Sequence, residues 1–134
     1  MNDIAKKWLD YAKADLEVAE VLVKNPKSKY SLQLAVLHCH QAIEKILKTI
    51  IVNKGVEPKR THDLIKLLLD SKQKLSPELK EYLERLNIHY HPARYPDIHY
   101  KEGIIKYSKE TVFYHFKQTK KLFKWLEKGL KLKK

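Results

Sequence analysis

The chain has 134 residues, with 28 Lys or Arg against 16 Asp or Glu, a formal net charge of +12. That length suffices for one domain spanning 1–134 with a real core. A field of that sign favours polyanions such as RNA or nucleotides, or an acidic protein partner. Only three glycines occur among runs rich in Leu, Ile, Ala, Lys and Glu, which favours helix and disfavours a turn-rich β sandwich. No apolar run approaches the roughly 18 residues of a membrane span, and Met1 to Lys6 does not read as a signal peptide, so a cytoplasmic protein is expected. Cys39 is the only cysteine, which leaves no internal disulfide and no CxxC motif.

Five helices are predicted in chain order. The first covers Asp3 to Lys24, with Ile4, Trp8, Tyr11, Ala12, Asp15, Ala19 and Leu22 on one face, and Asn25-Pro26 ending it. Asp15 is a carboxylate on that apolar face, expected at the rim of the core and bonded to a neighbour. The second runs from Ser31 to Asn53. Its broad apolar surface, from Leu32 and Ala35 through Ile43, Ile46 and Ile50, marks it as the central helix, and Gly55 suits a C-terminal cap. His38, Gln41, Glu44, Lys45 and Lys48 form its polar stripe, with His40 at the edge.

The third helix is expected to open at Thr61 as N-cap, with Asp63 in its first turn. The fourth opens with Ser76 as cap and Pro77 at the first helical position. The fifth is capped by Ser108 and carries Val112, Phe116, Thr119, Phe123, Leu126 and Leu130 on one stripe, flanked by Phe113 and Trp125. From His115 to Lys134 it holds eight lysines against Glu127. That lysine-rich end serves either as a solvated face, a composition also common in thermophiles, or as a contact for RNA, an acidic partner or, less readily, a membrane surface. Short connections between long helices imply an all-α, antiparallel up-and-down bundle of four to five helices.

Between the fourth and fifth helices lies His89-Tyr90-His91-Pro92-Ala93-Arg94-Tyr95-Pro96-Asp97-Ile98-His99-Tyr100. Twelve residues hold three histidines, three tyrosines, two prolines and one arginine. Arg94 and His99 suit metal-independent RNA cleavage. A histidine can move a proton to or from a ribose 2′-hydroxyl or leaving oxygen near neutral pH, while an arginine clamps the phosphate. The same residues also suit a plain structural role, with Arg94 tying the loop to a helix end and His99 exposed. The pairs His38-x-His40 and His89-x-His91 lack any supporting Cys or HExxH pattern, so no metal is expected, nor any other cofactor.

Four stretches add up to a family pattern. They are Trp8-Leu9-x-Tyr11-Ala12-x-Ala14-Asp15-Leu16, His40-Gln41-Ala42-Ile43-Glu44-Lys45, Thr61-His62-Asp63-Leu64 and Ala93-Arg94-Tyr95-Pro96-Asp97. In this order and at these separations the chain, from Ala5 to Leu126, resembles the HEPN family. The resemblance implies a helical bundle that forms a homodimer, and a minimal nucleotidyltransferase as partner, in some cases as a toxin–antitoxin pair. It also implies two alternative activities. One is a binding module whose dimer cleft, lined by Asp15, His40, Glu44, Lys45, His62, Arg94 and Tyr95, takes a nucleotide or the nucleotidyltransferase partner. The other is a metal-independent RNase toxin with Arg94 and His99 catalytic. Active RNases of the family carry a polar residue after the arginine, where this chain has Tyr95. The Arg-Tyr-Pro-Asp form resembles the nucleotidyltransferase substrate-binding branch.

Overall fold

The computed structural model describes residues 1–95 and 106–132, with side chains through 130. Among them every regular element is helical: α1 (Asp3–Lys24), α2 (Ser31–Asn53), α3 (Leu64–Ser71), α4 (Pro77–Asn87), α5 (Tyr90–Arg94) and α6 (Lys109–Leu132). The all-α bundle is thus as expected, with one short helix added.

The ends of α1 and α2 follow from local chemistry. The Asn2 side chain accepts from Ala5 N at 2.7 Å, capping α1, and its amide donates to Val52 O at 3.1 Å across to the far end of α2. The two helices are therefore antiparallel. They are joined by a tight turn in which Ser31 Oγ accepts from Lys27 N and Ser28 N. Gly55 sits just past α2 at φ +78°, a left-handed conformation that glycine adopts without penalty.

Helix α1 buries Ala12, Asp15 and Ala19 of the expected stripe, with Trp8 and Leu22 half-buried, but its edge is shifted: Ala5 is buried in place of Ile4 and Tyr11. Ala5, Ala12 and Ala19 are fully buried, whereas Ile4 is 64% and Tyr11 67% exposed. Alanines seven residues apart let α1 lie close against α2, and the close approach, not side-chain size, selects the buried face. Asp15 is buried beside them, as expected for a bonded carboxylate at the rim.

Helix α2 is the axis of the bundle, in contact with all five other helices. Its Ile43, Ile46, Leu47 and Ile51 meet Leu64 and Leu67 of α3, Leu83 and Leu86 of α4, and Leu122 and Leu126 of α6 in one cluster. Burial of each such side chain contributes about 1.5–3 kcal/mol relative to exposure. Helix α4 starts at Ser76, whose Oγ accepts from Leu79 N, with Pro77 in the first turn. Ser108 Oγ accepts from Thr111 N at the start of α6, whose predicted stripe is buried while Phe113 and Trp125 stay about half exposed. Between α4 and α6 the buried Tyr82 hydroxyl donates to His115 O at 2.9 Å and meets Thr119 Oγ1 at the same distance.

Helix α3 begins later than its pattern suggests. Thr61 Oγ1 accepts from Asp63 N, a side-chain turn, and Asp63 is the cap that accepts from Ile65 N and Lys66 N. Two potential caps two residues apart compete here. Asp63 wins because its Oδ1 also takes a bond from Asn87 Nδ2 at the end of α4. Helix α5 lies in the segment expected to be irregular. Its Pro92 and Ala93 are buried, and Gln33 of α2 donates to Pro92 O at 3.1 Å, so packing holds a turn too short to be visible as periodicity.

Candidate functional site

The polar residues of α2 divide between two neighbours. On one side, Asp15 of α1 accepts from His38 Nδ1 at 2.8 Å through one oxygen and from Lys45 Nζ at 2.6 Å through the other. A carboxylate only accepts, so the His38 proton must sit on Nδ1. Burial alone would raise the Asp15 pKa. The bonds from His38 and Lys45 outweigh it and hold the carboxyl below its ordinary range.

On the other side stands Glu44, buried, with each oxygen engaged. Oε1 accepts from His62 Nδ1 at 2.9 Å and Oε2 from the buried Lys48 ammonium at 3.0 Å. The His62 ring, just before α3, is stacked on Tyr90 of α5. Arg94, one turn further along α5, donates to Tyr90 Oη at 3.0 Å with its guanidinium 5.3 Å from that ring's centre. A continuous line of contacts thus leads from a buried ion pair outward through His62 and Tyr90 to an exposed arginine. Among the described residues no carboxylate pairs with Arg94, so most of its planar fork of donors is free for an anion.

His40 lies beneath this line, fully buried, its ring 5.3 Å from that of Tyr90. Neither ring nitrogen has a hydrogen-bond partner among the described residues. Burial pushes its pKa down to about 4, against the opposing pull of Glu44, so the ring is neutral at pH 7. It supports Tyr90 from below and does not face solvent.

Of the expected site residues, Asp15 and Lys45 meet in one cluster, and Glu44, His62 and Arg94 are joined in the other through Tyr90. Tyr95 ends α5, 45% exposed, with its ring 6.3 Å from that of His91. His99, like Pro96, Asp97 and Tyr100, lies outside the described residues. His38, Lys48 and Tyr90 were absent from the expected set. Lys48 had a readable signal, standing four residues after Glu44, the favourable order for a helical ion pair. His38 falls two helical turns before Lys45 on the same stripe. Tyr90 had none, since its role depends on the packing of α5.

Among the described residues no group of three or more His, Cys, Asp or Glu side chains is placed to hold a metal ion. No helix among them is long and apolar enough to cross a membrane. A hollow of about 830 Å3 opens between the first turns of α1 and the connection after α2, walled by Trp8, Lys48 and Arg60; Arg94 is not part of it.

The arrangement defines a class of helical protein. The sequence model of the HEPN domain matches residues 5–129, and the chain belongs to the HEPN family. Two solved structures share the fold. TT1696 from Thermus thermophilus is 23% identical with a TM-score of 0.78, the match covering 95% of this chain and 98% of that one. ST0689, described as an archaeal HEPN homologue, is 23% identical with a TM-score of 0.71, covering 93% and 96%. No curated protein matches the chain by sequence.

Proposed function

We propose that this HEPN protein is a binding module that holds the phosphate of a nucleotide through Arg94, and that it works as a homodimer beside a minimal nucleotidyltransferase partner. The observation that carries this reading is the exposed Arg94 guanidinium, free of carboxylates among the described residues and seated on the Tyr90–His62 stack above Glu44. A planar fork on a braced base suits bidentate recognition of phosphate. Tyr95, about half exposed next to Arg94 in sequence, offers an aromatic ring for a base. Val18, three residues after Asp15, and Leu34, four before His38, are exposed apolar side chains, a surface suited to a second copy.

Nucleotide titration of the wild type and Arg94→Ala by calorimetry, with sedimentation to measure mass, tests the proposal. Saturable binding that Arg94→Ala weakens at least tenfold, in a dimer, supports it. A wild type that binds no nucleotide, alone or with its nucleotidyltransferase, sinks it. Cleavage of RNA in EDTA that is lost in both Arg94→Ala and His99→Ala replaces it with the RNase reading.

A further inference from the structure

Away from Arg94, the α3–α4 hairpin forms a second hollow of about 580 Å3. Its floor is apolar, built by Ile65, Leu69 and Leu75. Leu69 is 72% exposed, the highest exposure of any large apolar side chain among the described residues, and Ile65, one turn earlier on α3, is 38% exposed. Single exposed leucines are ordinary; Ile65 and Leu69 aligned one turn apart along a groove are not.

Three lysines ring this floor, Lys72, Lys74 and Lys80, against a single carboxylate, Glu84. None of the three is ion-paired among the described residues, unlike Lys45 and Lys48, whose charges are already neutralised by Asp15 and Glu44. In the larger hollow beside Trp8 the cations are offset by Asp3, Glu57 and the partners of Lys48 and Lys59, so it carries no comparable surplus.

The lysine-bearing connection is also fixed in place. Lys72 closes α3 in the left-handed region at φ 58°, with its amide on Leu69 O. Lys74 O accepts from the Trp125 indole at 2.9 Å. The Gln73 side chain tucks so close under Gly129 that a Cβ there would collide with its amide oxygen. A rigid groove loses little conformational entropy when filled.

We infer that the α3–α4 groove is a docking surface for an acidic amphipathic helix of another protein, its apolar residues seated on Ile65 and Leu69 and its carboxylates facing Lys72, Lys74 and Lys80. The spacing of Ile65 and Leu69 matches the one-turn periodicity of an apolar helical stripe laid along the groove. A second copy of this chain is a poor occupant, because a twofold contact would set these lysines against themselves on a chain of net charge +12. The inference does not depend on any role for Arg94.

The test uses the full chain and a designed 14-residue helical peptide with Leu on one face and Glu on both flanks. A scrambled peptide of equal composition, which breaks the stripe, is the control, and fluorescence anisotropy is the readout. The designed peptide is expected to bind at least tenfold more tightly than the scrambled one. Leu69→Ser and the Lys72→Glu/Lys80→Glu double variant should each weaken it at least tenfold, while Lys121→Glu/Lys124→Glu on α6 leaves it within threefold. Leu69 and these lysines are exposed, so the variants should keep the wild-type circular dichroism and melting temperature; one that does not is replaced by Leu69→Ala or Lys80→Gln. Equal binding of the two peptides overturns the inference, as does equal loss from the α6 variant. So does binding of anionic lipid vesicles through Leu69 with no peptide binding. Because the Arg94→Ala variant should bind the peptide normally, a failure here is distinct from a failure of nucleotide binding.

Discussion

The His62 imidazole lies flat on the Tyr90 ring, with centroids 4.1 Å apart and planes 13° from parallel. That stack joins the connection before α3 to α5, and Glu44 fixes it from inside by accepting a hydrogen bond from His62 Nδ1. The two ends of the arrangement differ in kind. Glu44 and Lys48 are buried and structural, whereas Arg94 is exposed and, among the described residues, pairs with no carboxylate.

Glu44→Leu is expected to cost about 3–5 kcal/mol, because it strands the buried Lys48 ammonium without a counter-charge. The double variant Glu44→Leu/Lys48→Met should recover most of that loss, since the charge to be compensated is gone. Urea unfolding of the three proteins measures this. A double variant no more stable than the single one would refute the ion-pair account.

Arg94→Ala should change stability by no more than about 0.5 kcal/mol, as an exposed side chain on a short helix. Its effect should fall on ligand affinity. Arg94→Lys keeps the charge but not the planar fork, and is expected to restore only part of the phosphate binding. Calorimetric titration beside a thermal melt separates the two effects.

Acid should weaken the fold in a defined window. Burial lowers the pKa values of His40, His89 and His115 from 6.5 to about 4. Between those values the unfolded chain binds more protons than the folded one, so stability is full above about pH 6.5 and declines as pH falls towards 4. The loss is up to a few kcal/mol per histidine. Asp15 acts lower, because its lowered pKa contributes stability above its unfolded value that is lost below it. Urea midpoints at pH 7.5, 6, 5 and 4.5 should fall steadily, and less so in His40→Leu. Equal midpoints at pH 7.5 and 4.5 would contradict neutral burial of these rings.

Asp63→Ala should destabilise by about 1–2 kcal/mol, losing the α3 cap and the acceptor for Asn87 together. Thr61→Ala should cost less, because Thr61 shapes only the turn before the cap. Reversal of that order would show Thr61 to be the functional cap.

The sequence alone determines where the long helices run. Ser76-Pro77, Ser108, Gly55 and Asn25-Pro26 are local signals, and capping, backbone restriction and 3.6-residue periodicity act within a few residues of each. It also singles out Asp15 as a carboxylate on an apolar face and Arg94 and His99 as a phosphate-and-proton pair, whereas His40, Glu44, Lys45 and His62 enter through the resemblance to the HEPN family. Only the tertiary structure decides the edge of the buried stripe of α1, because close approach to α2 takes Ala5 alongside Ala12 and Ala19 and leaves the larger Ile4 and Tyr11 exposed. Packing likewise creates α5 and makes Tyr90 the link between Glu44's network and Arg94. Periodicity cannot reveal either, since a five-residue helix and a ring stack exist only when α2, the segment before α3 and α5 are brought together.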